Sequence, residues 1–320
     1  MGRIFCGALL CLLLLAPDGA RAADAALPPP AVERPPWYPQ LVTSADVYGQ
    51  SAQFNTGNPN NANTSNAHAY DVSVGARFGD YALIAFRGQE AWTNVFLTMA
   101  PQTIAVHSRS YGVRTRFAYG WVDWDTLASV GHNDNFTVIP GFFGGPPSVA
   151  SWTGREWAVV STVGAKVPLA FLVFEPRAGA RVNLLHDAGY NTGGLFGFQV
   201  PAQVRSATTW LGQLKVGAPI HLDAFGILTP WIGGEVSRTN NPHPPLGYLT
   251  ELTGMAGGHY VFNVPQSEGP GPFPGQTWRT ASAGLRLDVT PSFTTEASAV
   301  WSGNDLGSWT AYHWSAKVKF

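Results

Sequence analysis

The chain has 320 residues, of which only 12% are charged, 12% are aromatic and 36 are glycine. So small a charged fraction argues against a water-exposed domain, and a mean hydropathy near zero argues against a bundle of apolar transmembrane helices. The formal net charge of −1 excludes a nucleic-acid-binding protein that relies on bulk positive charge, so no nucleic-acid partner is expected.

The first 22 residues read as a secretory signal peptide. Arg3 provides the positive start, an apolar run follows over residues 4–16, and Ala20-Arg21-Ala22 forms a small-x-small cleavage site. Both cysteines, Cys6 and Cys11, lie inside this segment, so the mature chain is expected to lack cysteine. That excludes disulfides, thiolate metal sites and cysteine nucleophiles. Residues 23–40, which are rich in proline, are predicted to form a short extended linker.

From residue 41 onward, apolar and polar residues alternate with a period of two. In the stretch 71–78, one face carries Val72, Val74, Ala76 and Phe78. The other face carries charged or very small residues. This alternation is typical of strands with one apolar and one polar face. Low overall charge without long apolar runs suits a membrane β-barrel, because each strand presents only every second residue to lipid.

The alternating segments predict an all-β fold, a single transmembrane antiparallel β-barrel of about twelve strands over residues 41–320. An even number of strands is typical of bacterial single-chain barrels. The predicted strands cover residues 41–54, 69–78, 81–89, 104–118, 121–132, 155–167, 170–185, 205–217, 222–238, 277–289, 292–302 and 308–320.

The predicted connections alternate between tight and long, as in outer-membrane barrels with short periplasmic turns and long extracellular loops. Tight connections include Gly79-Asp80 and Tyr119-Gly120. Both termini are therefore expected on the periplasmic side. The long connections are 55–68, 90–103, 133–154, 186–204 and 239–276, and the last of these is the candidate plug or lid of the lumen.

The last predicted strand carries an alternating aromatic and apolar face and stops on phenylalanine. That face consists of Tyr312, Trp314, Ala316, Val318 and Phe320. It resembles the assembly signal of bacterial outer-membrane proteins. The resemblance implies the bacterial outer membrane as location, outer-membrane lipid as surroundings, and the barrel-assembly machinery as a partner of this strand.

Across residues 69–320 the chain resembles the translocator β-domain of autotransporters, a twelve-stranded C-terminal barrel that ends in phenylalanine. The resemblance is carried by Phe174-Glu175-Pro176-Arg177-Ala178-Gly179-Ala180, Thr208-Thr209-Trp210-Leu211-Gly212, Leu228-Thr229-Pro230-Trp231 and the closing strand. Autotransporters also carry a secreted passenger and a helix in the pore. Residues 23–40 are too short for a passenger and too rich in proline for a helix, so a barrel without a passenger is expected.

The polar face of the predicted strands is charged and is expected to line the lumen. We expect charges of opposite sign to pair across the hairpin that joins Arg114 and Arg116 to Asp123 and Asp125. A small positive excess on this face favours a polar pore with a mild preference for anions. The expected lumen-lining charges are Arg77, Arg114, Arg116, Asp123, Asp125, Glu175, Arg177, Arg181, Arg286 and Asp288.

No sequence motif of a serine hydrolase, zinc protease, phosphate-binding loop or calcium loop is present, and no catalytic residue, metal or cofactor is expected. One alternative is a hydrolase that activates water with acid and imidazole groups at the extracellular rim, namely His132, Asp134, His186 and Asp187. The simpler interpretation, which we favour, is that these are solvated loop residues.

The sequence therefore predicts an outer-membrane β-barrel that acts as a passive pore or a structural surface protein and is not an enzyme. The rim hydrolase is one alternative. An adhesin that binds through the loops 55–68 and 239–276 is another.

Overall fold

The structure, a computed structural model, describes residues 38–55, 63–97, 102–141, 145–191, 199–222, 225–240, 250–251, 259–260, 277–304 and 307–319. The predicted signal peptide and residues 23–37 of the predicted linker lie outside these residues. The last residues of that linker, Pro39 and Gln40, instead begin the first strand. Within the described ranges, no helix is long and apolar enough to span a bilayer.

Twelve long strands build the fold, in agreement with the number predicted from the alternation. In chain order they are β1 Pro39–Asn55, β2 Asn63–Phe78, β3 Ala82–Leu97, β4 Gln102–Tyr119, β5 Val122–Ile139, β6 Ser148–Ala165, β7 Leu172–Asp187, β8 Gln203–Gly217, β9 Ile227–Thr239, β10 Thr277–Thr290, β11 Phe293–Asn304 and β12 Gly307–Lys319.

The strands form one closed antiparallel barrel. Each strand pairs with its neighbours in the chain, and β12 returns to pair with β1 through partners such as Val47 and Ala316. Closure leaves no strand edge unpaired, which a sheet in lipid requires because lipid cannot satisfy backbone hydrogen bonds. The predicted fold class, a single transmembrane antiparallel barrel of about twelve strands, is confirmed.

The barrel has a turn end and a loop end. The turn end holds the start of β1, the end of β12 and the connections 79–81, 120–121, 166–171, 218–226 and 291–292. Gly79 and Gly120 have φ angles of 57° and 58°, a left-handed conformation that glycine adopts without steric cost. The loop end holds the connections 56–62, 98–101, 140–147, 188–202, 240–276 and 305–306.

Several strands extend further toward the loop end than predicted. Much of the predicted loops 55–68, 90–103 and 133–154 is strand, because β2 begins at Asn63, β3 continues to Leu97 and β5 continues to Ile139. Residues 222–226, which were predicted as strand, precede β9, and the amide of Leu222 donates to the Gly226 carbonyl. Most of the candidate plug 239–276 lies outside the described residues.

Burial alternates along the strands and identifies the two faces of the wall. On β6, Val159 and Val163 are exposed while Val160 and Thr162 between them are buried. Because successive side chains of a strand point to opposite sides, the buried set faces the lumen and the exposed set faces outward. The outward face of the turn-end half is apolar, as a surface in contact with lipid must be.

Candidate functional site

Charged side chains line the lumen in the turn-end half of the barrel. Most of them form ion pairs between strands. The pairs are Arg87–Asp71, Arg114–Asp125, Arg116–Asp123, Arg177–Asp123 and Lys317–Asp46 between strands, Lys166–Glu175 between the connection 166–171 and β7, and Arg286–Asp288 within β10.

Asp123 is the centre of the largest group of charges. Its carboxylate accepts hydrogen bonds from Arg116 on β4 and, at 2.6 Å, from Arg177 on β7, although β6 lies between β5 and β7. Gly164 of β6 is the residue in register between Asp123 and Arg177. A Cβ atom at position 164 would lie 2.8 Å from Cζ of Arg177, so the absence of a side chain there lets the guanidinium cross β6.

Arg114 and Asp125 form the second group, on the same hairpin. The guanidinium donates from Nε at 3.0 Å and from Nη2 at 2.5 Å to the two carboxylate oxygens. This two-bond geometry is among the stronger ion-pair arrangements in proteins, and the Asp125 side chain is only 3% exposed. The pair fixes one orientation of each side chain on the lumen wall.

Two further charge groups lie near the β1–β12 closure, on β1 and β12 and on β10 and β11. Lys317 of β12 donates to Asp46 of β1 at 2.6 Å. Arg286 and Thr294 both donate to Asp288, at 2.8 and 2.7 Å. The interior face of the closing seam is therefore held by charge as well as by backbone hydrogen bonds.

The structure brings together eight of the ten charges that the sequence placed in the lumen, as the ion pairs above describe. Of the other two, Arg181 is half-buried on the inward face of β7, near Glu156 and Glu235, while Arg77 is exposed near the turn end. Sequence reasoning missed Asp46 and placed Asp187 at the extracellular rim, but both are buried on the inward face. Alternation with Ser44 and Ala45 would have identified Asp46.

These additions reduce the positive excess expected from the sequence. Among the side chains that the structure describes, inward-facing cations and anions balance. The cations are Arg77, Arg87, Arg114, Arg116, Lys166, Arg177, Arg181, Lys215, Arg286 and Lys317, and the anions are Asp46, Asp71, Asp123, Asp125, Glu156, Glu175, Asp187, Glu235, Asp288 and Glu296.

Toward the loop end, β3, β4, β6 and β7 contribute apolar side chains to the lumen face, whereas the inward residues of β5 stay polar. A buried cluster forms there, and Tyr190 joins it from the segment after β7 by stacking on Trp152 with ring centroids 4.2 Å apart. The amide of Ala188 donates to the Thr153 carbonyl at 2.9 Å and guides this segment along β6. The cluster consists of Val95, Ile104, Val106, Ala150, Trp152, Leu185 and Tyr190.

The four residues of the alternative hydrolase site do not converge on one pocket. His132 and Asp134 lie together on the outward face, with Nε2 3.2 Å from the carboxylate. His186 also faces outward, two strands away, whereas the adjacent Asp187 is buried on the inward face. Within the described ranges, no group of three His, Cys, Asp or Glu side chains is arranged to hold a metal ion.

The closing strand β12 alternates as its sequence indicates. Tyr312 and Trp314 are exposed on the outward face, and His313 between them is buried. Ala316 and Val318 continue the outward face and pair in register with Val47 and Ala45 of β1. Phe320, the last residue of the predicted assembly signal, lies outside the described residues.

Comparison with solved structures identifies the fold. The chain is similar to the translocator domain of the autotransporter NalP from Neisseria meningitidis, with a TM-score of 0.64 and 14% identity over 87% of this chain and 88% of that chain. It is similar to the β-domain of the Bordetella autotransporter BrkA, with a TM-score of 0.60 and 15% identity over 86% and 98%. The AIDA-I transport unit from Escherichia coli gives a TM-score of 0.51 and 9% identity over 98% and 97%.

No protein-family model matches the chain, and no curated protein matches it in sequence. At these identities the structural similarity concerns the fold alone. The chain has the closed twelve-stranded barrel fold of autotransporter translocator domains.

Proposed function

We propose that the protein is a passive pore of the bacterial outer membrane. The observation that carries this proposal is the ring of charged side chains around the turn-end lumen, inside a wall whose outward face is apolar. A charged group such as Arg286, whose side chain is 39% exposed on the lumen face, requires water around it, and a water-filled lumen is the basis of ion conduction.

The balance of inward charges sets the expected selectivity. Because the cations and anions on the inward face are paired across short distances, their fields largely cancel in the lumen. We therefore propose a pore with little preference between anions and cations. The apolar cluster around Trp152 and Tyr190 narrows one side of the loop-end lumen.

Planar-bilayer recordings on the full chain test this proposal. Discrete conductance steps are expected, with a reversal potential near zero in a salt gradient. Arg286→Ala removes one lumen cation and leaves Asp288, so the reversal potential is expected to shift toward cation selectivity. Arg279→Ala is the matched control, because Arg279 is on the same strand and is exposed on the outward face. If folded, inserted protein shows no conductance steps, the proposal that it is a pore is overturned.

The proposal includes the outer membrane as location and lipid as surroundings. It also includes delivery by the barrel-assembly machinery, which would engage the outward residues Tyr312 and Trp314 of β12. The two exposed rings lie next to the seam between β12 and β1. If a partner holds β12, β1 and β12 are the last two strands to pair. Depletion of the assembly machinery is expected to leave the protein unfolded and degraded.

We propose no enzymatic activity. The contact between His132 and Asp134 lies on the outward wall, and a hydrolase would need a substrate-binding cleft there. Assays with peptide and lipid substrates test the point: hydrolysis by the wild-type protein that disappears in His132→Ala or His186→Ala would contradict the proposal. An adhesin would depend on the loops 55–68 and 239–276; half of the first and most of the second lie outside the described residues.

A further inference from the structure

The outward face of β4 to β7 carries a line of basic side chains, which we call the outer basic row. It consists of Arg109, His132, Arg155 and His186, one residue from each of four consecutive strands. Arg109 is in register with His132, His132 with Arg155, and Arg155 with His186. With about 4.8 Å between neighbouring strands, the row is about 14 Å long.

The row lies where the lipid-facing surface ends. The outward residues one step nearer the turn end are the exposed apolar side chains Tyr111, Val130, Trp157 and Leu184. From Tyr119 at the turn end to Arg109, ten residues of a strand tilted by about 40° rise about 26 Å, close to the height of about 25 Å of the apolar band on such barrels. Aromatic residues followed by basic ones are expected at the level of lipid headgroups.

A change of polarity on the opposite face supports this boundary. Beyond the row, the inward residues of β4 and β6 are apolar, as Ile104 and Trp152 show, and the outward face of β6 carries the polar Ser151 and Thr153, whereas the inward residues of β5 stay polar. That is the pattern of a wall that faces water on its outside. Lipid therefore ends at the row, and the strands continue past it into solvent.

Arg155 is the arginine of the row whose charge has no partner among the described residues. It is exposed, and no described residue forms an ion pair or hydrogen bond with its guanidinium, whereas Arg109 donates to Asp134 at 2.8 Å. His132 and His186 flank Arg155 on the neighbouring strands. On the β3 side the row is closed by Glu90, whose carboxylate is 2.7 Å from His107.

We propose that the outer basic row binds the phosphate group of a lipid in the outer leaflet, with Arg155 as its main contact. A guanidinium presents its N–H groups in a planar fork that matches two phosphate oxygens, and the imidazole of His186 beside it can donate one further N–H. The acyl chains of the same lipid would lie against Trp157 and Leu184 directly below. The inference rests on the proposed membrane location and adds the chemical class of the lipid.

The test uses the full-length protein in detergent with three probes: lipid A, lipid A with its phosphates removed, and inorganic phosphate. Wild-type protein is expected to bind lipid A, and Arg155→Ala to weaken that binding about tenfold or more, since hydrogen bonds to a charged group are lost. Removing the phosphates from the lipid is expected to produce the same loss in the wild type. Arg155→Lys should restore part of the affinity.

Arg77→Ala serves as the matched control, because Arg77 is exposed but lies on the inward face near the turn end. Equal affinity of wild type and Arg155→Ala for lipid A would overturn the proposal, as would equal affinity for the dephosphorylated lipid. Inorganic phosphate that binds as tightly as lipid A would overturn the assignment to a lipid. Protein that conducts in bilayers but fails these tests would leave the pore intact, so the two failures are distinguishable.

Discussion

Asp123→Ala is expected to destabilise the barrel strongly, because one carboxylate neutralises two guanidinium groups. The Asp123 side chain is 6% exposed, and Arg177 beside it is 13% exposed. Removing one partner of a buried ion pair costs about 3–5 kcal/mol, since it leaves an uncompensated buried charge. Arg116 is 36% exposed and can turn toward water, so a loss of about 3 kcal/mol, at the lower end of that range, is expected.

The assay is urea unfolding of the full chain in lipid vesicles, followed by tryptophan fluorescence and by the heat-dependent gel mobility of folded barrels. Asp134→Ala is the control, because Asp134 also pairs with an arginine but both side chains are about half exposed, and a loss of at most about 1 kcal/mol is expected. The loss of unfolding free energy in Asp123→Asn should lie between the losses in Asp123→Ala and Asp134→Ala. If Asp123→Ala loses no more free energy of unfolding than Asp134→Ala, the reasoning about the buried group is refuted.

Two further predictions concern the outward face. Gly49→Ala should lower the free energy of unfolding by about 1–3 kcal/mol, because its Cβ would lie 2.6 Å from Cε2 of Trp314 across the β1–β12 seam and overpack it. Gly212→Ala is the control: a Cβ there would have no described atom within 4 Å, so the free energy of unfolding in the same urea experiment should change by less than about 0.5 kcal/mol. Val159→Arg should lower the free energy of unfolding in lipid by about 2–4 kcal/mol. Ser151→Arg, on the same strand but beyond the outer basic row, should lower it by at most about 1 kcal/mol. Equal losses for the two arginine variants would contradict the position of the lipid boundary.

The turn end could be predicted well because its signals are local. Gly79 and Gly120 occupy left-handed positions that few other residues tolerate, and the alternation stops on both sides of them. A tight hairpin also fixes the register of its two strands. That Arg114 and Arg116 pair with Asp123 and Asp125 therefore followed from the sequence once the turn at 120–121 was placed, although the contacts are diagonal and the register places Arg116 opposite Asp125.

The contact between Arg177 and Asp123 could not be predicted in this way. The two residues are 54 positions apart, and an intervening strand separates them. Their contact depends on the stagger between β5, β6 and β7 and on the missing side chain at Gly164. Neither the stagger nor the reach of a long side chain across a strand is encoded in local periodicity.

The loop ends of the predicted strands have a physical explanation in the outer basic row. Three of the predicted strand boundaries, at residues 89, 132 and 155, fall on or beside that row. In the structure, β3 continues to Leu97, β5 continues to Ile139, and β6 already begins at Ser148. The prediction followed apolar residues on the outward face, and that signal ends where lipid ends rather than where the strand ends. Beyond the row on β4 and β6, the apolar residues move to the inward face, as in Ile104 and Trp152, so on these strands the period of two persists but its polarity is reversed. The sequence therefore contained the membrane boundary, in the form of strands that were predicted to stop too early.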